Sequence, residues 1–275
     1  MPWSAMANAE IDVPSAALLG ALQGLTEFLP VSSSGHIAIG TFLFGLDDAP
    51  LSLSIVLHAG TLLATLALFA GDIARLLADT WRGRRDPKAF AASESGRMVL
   101  GVIVATIPTV VIALTLRDRV EAWSHVPWIV GVCLLISAAL VFTTRRQGQS
   151  LTAPTWKHAL IIGIAQGLAV LPGVSRSGST IAAAMLLGVE GPAAFRFSFL
   201  LSLPAVTGAV ILELGHEGVL AGVPMAVWLG GAVAAVIGVV SLVVLRKLVT
   251  QGRFWAFTLY LVPVGIGLIA WDFSR

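Results

Sequence analysis

Six stretches of this sequence are apolar over about the length that a helix needs to cross a lipid bilayer, roughly 17–25 residues. They are residues 51–70, 98–116, 127–144, 199–214, 224–245 and 254–272. Charged residues make up 12% of the chain and apolar residues 57%, whereas soluble domains carry about 25% charged residues. Because so few charges could not cover the surface of a soluble fold, we expect an all-α, polytopic membrane helical bundle.

Two further apolar stretches, residues 15–46 and 158–197, contain polar breaks that run from Pro30 to Gly35 and from Pro172 to Gly178. A broken helix at membrane depth is tolerated only where protein or a cavity surrounds the break. We therefore expect two re-entrant helical hairpins beside the six transmembrane helices.

The positive charges alternate between connections, and Lys and Arg accumulate on the cytoplasmic side of a membrane. The connections 72–97, 145–157 and 246–253 are rich in Lys and Arg, whereas 117–126 holds two arginines and 215–223 holds no Lys or Arg. Six spans with two hairpins that do not cross fit this alternation. Both termini are then outside, the first hairpin opens to the outside and the second opens to the cytoplasm.

The two broken stretches resemble each other. Residues 20–35 align without a gap on residues 163–178, at an offset of 143, and eight of the sixteen positions are identical. Each stretch precedes three predicted spans, so the second copy is inverted relative to the first. We expect a single membrane domain, 1–275, with repeats at 15–144 and 158–272. Such inverted-topology repeats place their site near the bilayer midplane, where broken helices meet.

Three ionisable side chains in the breaks indicate a functional site, because charge inside a membrane is costly. They are Glu27, His36 and Arg176. The planar guanidinium of Arg176 suits a phosphate. Backbone N–H groups at the start of a helix can also cradle an anion, and the two Ser-Gly turns that offer them are Ser34-Gly35 and Ser177-Gly178.

Ser33 and His36 share a helix face if the helix begins by residue 33. The imidazole could then take the hydroxyl proton, which makes Ser33 a nucleophile, or protonate the leaving group. Glu27 could hold a divalent cation, position His36 or a water molecule, or only pair with Arg176. The serines could simply cap helices. His58, in an apolar helix, is expected to be a packed histidine rather than a ligand.

Two long motifs resemble the signatures of the undecaprenyl-diphosphatase family, the bacitracin-resistance phosphatases of bacterial membranes. They are QGLTEFLPVSSSGH, from Gln23 to His36, and PGVSRSGST, from Pro172 to Thr180. The segment FRFSFL at 195–200 is also similar to the family, and the resemblance covers nearly the whole chain.

The resemblance implies hydrolysis of undecaprenyl diphosphate to undecaprenyl phosphate, which recycles the lipid carrier of cell-wall synthesis. It places the catalytic serine and histidine on Ser33 and His36, the phosphate-binding arginine on Arg176, and a divalent cation, Mg²⁺ or Ca²⁺, at Glu27. Gln23 leaves one carboxylate fewer in the first motif. Further positions on the substrate side are Gln23, Ser32, Ser175 and Thr180.

The resemblance also implies a multi-pass protein of the bacterial inner membrane, with a polyprenyl diphosphate lipid as substrate and a site open to the periplasm. A homodimer stays open, and nothing predicts a nucleic-acid partner. The alternative function is an inverted-repeat transporter or flippase for a polyprenyl phosphate, because inverted repeats with broken helices are also a transporter architecture.

Overall fold

The computed structural model describes residues 11–37, 51–124, 126–145, 150–215 and 219–274. Within these residues the chain is helical, and the β structure is limited to one isolated bridge between Leu151 and Val189. The helices pack into a bundle whose buried apolar residues form one large cluster and one smaller cluster. The prediction of an all-α polytopic membrane bundle is confirmed.

Eleven α-helices and one short 3-10 helix follow one another along the described residues. The first part contains α1 (Val13–Thr26), α2 (described over 33–37), α3 (Leu51–Gly83), α4 (Pro87–Ala92), α5 (Glu94–Ser124) and α6 (Pro127–Thr143). The second part contains α7 (Trp156–Leu168), α8 (Arg176–Leu186), α9 (Gly191–Leu214), α10 (Met225–Thr250), the 3-10 helix Phe254–Phe257 and α11 (Thr258–Phe273).

Five of the described helical segments are long and apolar enough to cross a membrane: Leu51–Gly83, Glu94–Val120, Gly191–Leu214, Met225–Thr250 and Phe254–Phe273. The sixth predicted span is α6, an apolar helix of 17 residues. That length lies at the lower end of the range for a transmembrane helix.

Two predicted boundaries are wrong. The connection predicted at 72–97 is largely helical, because α3 continues to Gly83 and α4 follows. The sequence becomes polar after residue 71, but no glycine pair or proline ends the helix there. The second hairpin was expected to reach residue 197, but α9 begins at Gly191 with Pro192 in its first turn, a position that proline favours. Part of the first hairpin, residues 38–46, lies outside the described residues.

The two breaks are built alike. Each first helix begins after a side-chain cap, Asp12 for α1 and Thr155 for α7, and hydrogen bonds from Ser15 lower the pKa of the exposed Asp12 carboxyl. The chain then turns, at residues 27–31 and 169–173, and the second helix begins at residue 33 or 176. Caps and helix starts are both 143 residues apart, the offset of the sequence repeat.

The short helix of each broken pair packs against a long helix of the other half. α1 lies against α10, and α7 lies against α5. Glycines permit this approach: a Cβ built on Gly20 would lie 2.1 Å from the carbonyl oxygen of Gly230, and one on Gly163 would lie 2.2 Å from that of Ala105. Small residues at such contacts are what lets helix backbones meet in a membrane. Contacts between helices of the two halves therefore hold both breaks in place.

Phenylalanines pack around the first break and the start of α9. Phe28 lies 5.8 Å, between ring centroids, from Phe199, which in turn lies 4.7 Å from Phe195 and 5.8 Å from Phe69. Aromatic rings at these separations pack favourably. The cluster gives the polar groups at the break a rigid apolar support on one side.

Candidate active site

Glu27 is the centre of the polar cluster at the first break. It directly follows α1, and only 8% of its surface is exposed. One carboxylate oxygen, Oε2, accepts hydrogen bonds from Ser33 Oγ at 2.7 Å and from Gln23 Nε2 at 3.1 Å. The other oxygen, Oε1, forms an ion pair with the guanidinium of Arg176. Both oxygens of this buried carboxylate are thus used, as a buried charge requires.

Arg176 is the first residue of α8 and belongs to the second copy of the repeat, whereas Glu27 belongs to the first. Its side chain is 25% exposed, so the guanidinium still reaches open space. The ion pair with Glu27 joins the two breaks directly. The repeat predicted that Glu27, His36 and Arg176 meet at one site; the structure joins Glu27 and Arg176, whereas His36 bonds to Tyr260.

A cavity of about 320 Å³ opens beside this ion pair, and both breaks line it. From the first break come Glu27, Ser32, Ser33 and Ser34; from the second come Val174, Ser175 and Arg176. The cavity continues along α9, past Ala205 and Ala209, to Glu213 near the end of that helix. It therefore runs from the centre of the molecule toward the end of α9.

His58 on α3 also lines the cavity. Its Nε2 lies 3.9 Å from Glu27 Oε2, and its Nδ1 lies 2.9 Å from the carbonyl oxygen of Ser54. The sequence predicted a packed histidine rather than a ligand, and the structure places this histidine at the cavity wall beside Glu27. The rule that an ionisable group inside a membrane marks a site applies to His58 as well, but it does not show which side chain His58 approaches.

His36 lies differently from its predicted position. Its Nδ1 is 2.8 Å from the carbonyl oxygen of Ser32, and its Nε2 is 2.6 Å from Tyr260 Oη on α11. The expected hydrogen bond between Ser33 and His36 is replaced by the one from Ser33 to Glu27. The reason is geometric: Ser33 opens α2 and reaches back toward α1, whereas His36 lies on the side of α2 that faces α11.

The serines of the two breaks form matching pairs. Ser32 Oγ and Ser34 Oγ lie 3.3 Å apart, as do Ser175 Oγ and Ser177 Oγ. Ser175 also caps α8, because its hydroxyl accepts a hydrogen bond of 3.1 Å from the N–H of Gly178. Ser175 is therefore a helix cap, as one interpretation of the serines predicted, and it also lines the cavity.

Four other predicted substrate-side residues are not among those that line the cavity. Thr180 is fully buried; its hydroxyl donates to the carbonyl oxygen of Arg176 and bonds Ser198. Gln23 reaches the site through Glu27. Around Gly178 the side chain of Pro30 approaches closely, and around Gly35 that of Val130 does. Ser177 lines a narrow cleft next to the cavity, together with Glu27 and Arg176.

The groups around Glu27 fit a divalent cation only in part. Among the described residues no three His, Cys, Asp or Glu side chains cluster closely enough to hold a metal ion by themselves. Glu27 Oε2 and His58 Nε2 do face one another across the cavity wall. Mg²⁺ is often bound by one or two carboxylates together with substrate phosphates, and Glu27 is a carboxylate on the cavity wall that could serve in this way.

Comparison with known proteins gives one family. A family model described as bacitracin resistance protein BacA matches residues 16–267. An undecaprenyl-diphosphatase of Desulfatibacillum aliphaticivorans is 41% identical over 268 residues, which cover 93% of this chain and 97% of the relative. Undecaprenyl-diphosphatases of Treponema denticola and Korarchaeum cryptofilum are 40% and 37% identical, each over 94% of this chain and over 98% and 99% of their own.

Proposed function

Because the chain belongs to the bacitracin resistance protein BacA family, we propose that it is an undecaprenyl-diphosphatase, which hydrolyses undecaprenyl diphosphate to undecaprenyl phosphate and inorganic phosphate. The family membership confirms the resemblance drawn from the two motifs. The observation that carries the proposal is the meeting of Ser33, Glu27 and Arg176 at one buried cavity. These groups supply a nucleophile, a base and a phosphate ligand.

Arg176 binds the terminal phosphate in this proposal. Its guanidinium is paired with Glu27 in the structure, and a diphosphate offers it oxygens with more negative charge in a geometry that suits two parallel hydrogen bonds. When Arg176 turns to the phosphate, Oε1 of Glu27 loses its cation. The carboxylate then becomes a stronger base at the moment when the substrate is in place.

Ser33 is the proposed nucleophile, and Glu27 accepts its proton. The hydroxyl already donates to Glu27 Oε2 at 2.7 Å, which is within the reach that proton transfer needs. Ser33 Oγ attacks the terminal phosphorus, and the bond from that phosphorus to the bridging oxygen breaks, which releases undecaprenyl phosphate. The proton on Glu27 passes to the bridging oxygen of the departing undecaprenyl phosphate, which makes the carboxylate a base again. Water then hydrolyses the phosphoserine: Glu27 takes a proton from the water and returns it to the departing Ser33 oxygen.

His36 takes a positioning role in this scheme, not the assisting role expected from its spacing to Ser33. Its ring ties the first turn of α2 to Tyr260 on α11. Since Ser33 is the first residue of α2, this contact fixes the direction from which the nucleophile enters the cavity.

A divalent cation at Glu27 completes the proposal. Bound there, it would neutralise charge on the diphosphate and stabilise the phosphate that leaves. Oε1 of Glu27 is the atom that would hold it, because Arg176 leaves that oxygen when it turns to the phosphate, whereas Oε2 accepts the proton of Ser33.

The proposed membrane is the bacterial inner membrane, and the proposed opening of the site is toward its outer side. The cavity leads to Glu213 at the end of α9, next to the connection 215–223, which contains no lysine or arginine. Connections without basic residues are typical of the side away from the cytoplasm. The diphosphate could then enter from that side while the polyprenyl chain stays in the bilayer.

Phosphate release by the purified protein in detergent tests the proposal, with undecaprenyl or farnesyl diphosphate as substrate and with or without EDTA. We expect release that EDTA stops, and loss of release in Ser33→Ala and Arg176→Ala. The matched controls are Ser150→Ala and Arg117→Ala, which lie away from the cavity and should keep full activity. Wild-type turnover in the two site variants would refute the site. Absence of turnover in the wild type under all conditions would favour the transporter.

A further inference from the structure

The narrow cleft next to the ion pair has room for about one water molecule. Its volume is about 10 Å³, which is close to the smallest space that can hold a water. Glu27 and Arg176 line this cleft as well as the larger cavity, whereas Ser33 lines only the cavity of these two spaces. The carboxylate therefore borders both spaces, and the serine reaches only one of them.

Hydroxyl side chains give the cleft the polar partners that a water needs. Buried waters in proteins typically make about three hydrogen bonds, and a cavity without polar partners stays dry. Among the described residues, the hydroxyl side chains that line the cleft come from α3, α8 and α9: Thr61, Thr65, Ser177, Ser198 and Ser202. The cleft is therefore suited to water and not to an apolar group.

The hydroxyls on α3 and α9 can accept hydrogen bonds from that water. Thr61 Oγ1 donates to the carbonyl oxygen of His58 at 3.0 Å, and Thr65 Oγ1 donates to that of Thr61 at 3.1 Å. Ser202 Oγ donates to the carbonyl oxygen of Phe199 at 2.8 Å. Since each hydroxyl hydrogen is used within its own helix, the lone pairs of the oxygen are left to accept. A water held in this way directs one hydrogen at a hydroxyl oxygen and keeps the other for the carboxylate.

We propose that the cleft holds the water that hydrolyses the phosphoserine, and that Thr61, Thr65 and Ser202 position this water. The role rests on the proposed function, because it concerns the second step of that reaction. The water oxygen forms the new bond to phosphorus, and the bond from phosphorus to Ser33 Oγ breaks with its electron pair on that oxygen. Glu27 takes a proton from the water and returns it to the serine.

The two spaces also suit the direction of attack. In a phosphoryl transfer the attacking and the leaving oxygen lie roughly in line, on opposite sides of phosphorus. Ser33 reaches phosphorus from the cavity, and a water from the cleft approaches from the other space that Glu27 and Arg176 border. The carboxylate can therefore serve the serine in the first step and the water in the second.

Quenched-flow kinetics with undecaprenyl diphosphate separate the two steps, because the first releases undecaprenyl phosphate and the second releases inorganic phosphate. The test variant is Thr61→Val/Thr65→Val, which replaces both α3 hydroxyls by methyl groups at nearly constant volume. We expect the first-turnover burst of undecaprenyl phosphate to keep its wild-type rate and the release of inorganic phosphate to slow about tenfold. Phosphorylated Ser33 should then accumulate and be detected by peptide mass spectrometry. Ser202→Val, whose larger side chain fills the cleft, should cause the same accumulation.

Thr106→Val is the matched control, and both steps should keep their wild-type rates in it. Thr106 Oγ1 also donates to a carbonyl oxygen one turn earlier, that of Val102 at 2.7 Å, but this threonine lines neither the cleft nor the cavity. Equal slowing of both steps in the cleft variants, or no increase in phosphorylated Ser33, would overturn the inference. The two proposals fail separately. If the wild type releases phosphate and the cleft variants match it, the function stands and the water site is refuted; a wild type that releases no phosphate from the lipid diphosphate refutes the function.

Discussion

Replacing Glu27 by glutamine should destabilise the protein strongly, because it leaves Arg176 without its carboxylate. The carboxylate side chain is 5% exposed and the guanidinium 25%, so water compensates little of the loss. Removal of one partner from a buried ion pair costs about 3–5 kcal/mol. In a chain of roughly this size each kcal/mol lowers the melting temperature by about 2–4 °C, so we expect Glu27→Gln to melt roughly 6–20 °C below the wild type.

Removal of the other partner, Arg176, should cost less stability, because only one of the two buried groups can become neutral when it loses its partner. A guanidinium stays protonated in proteins, whereas a buried carboxylate that loses its partner can take up a proton and become neutral. We therefore expect Arg176→Gln to destabilise less than Glu27→Gln. The double variant, which leaves no unpaired charge, should recover much of the loss.

Thermal unfolding in one detergent, for the wild type, both single variants and the double variant, measures the cycle. The physical reasoning predicts that Glu27→Gln melts lowest of the four proteins. Equal melting temperatures for Glu27→Gln and the double variant would refute it, because the cost could then not come from the orphaned guanidinium.

Three further predictions concern packing, positioning and topology. Gly163→Ala should cost about 1–3 kcal/mol in thermal unfolding, because its Cβ would meet a carbonyl oxygen of α5 at 2.2 Å, whereas Gly267→Ala, with nothing within 4 Å, should cost nothing. Tyr260→Phe should lower phosphate release severalfold, as expected from the loss of about one hydrogen bond to His36; complete loss would contradict a role for this contact in positioning alone. Leu220→Cys should react with a membrane-impermeant maleimide in intact cells and Arg82→Cys should not, and the opposite result would invert the topology.

The positions of the two breaks could be predicted from the sequence because they depend on local chemistry. A proline, hydroxyl side chains and a glycine within a few residues interrupt an apolar helix wherever it is placed. The repeat then fixed their relation, and α2 and α8 begin at residues separated by the same offset. In the second break the chain needs a positive φ at Gly173, where a Cβ would also lie 2.4 Å from the carbonyl oxygen of Val130.

The histidines could not be assigned from spacing along the chain. Ser33 and His36 are near neighbours on α2, yet Ser33 bonds to a residue at the end of α1 and His36 bonds to α11. His58 reaches the site only because α3 packs beside the first break, a contact between helices that a periodic pattern does not encode. The lengths of the spans were likewise underestimated, since a helix such as α3 continues into polar sequence beyond the apolar stretch.

The asymmetry of the site follows from the cost of charge in a membrane. Positions 27 and 170 are equivalent in the repeat, as are positions 33 and 176, and the first pair holds one carboxylate while the second holds one guanidinium. Two copies of Glu27 would face each other across one cavity and repel, and two copies of Arg176 would each need a carboxylate that the other half could not supply. With one charge from each half, the ligand-free protein neutralises both within the membrane. A phosphate that binds the guanidinium then frees the carboxylate to act as a base. The ion pair that lowers the cost of burying both charges therefore also keeps the carboxylate occupied until substrate is present.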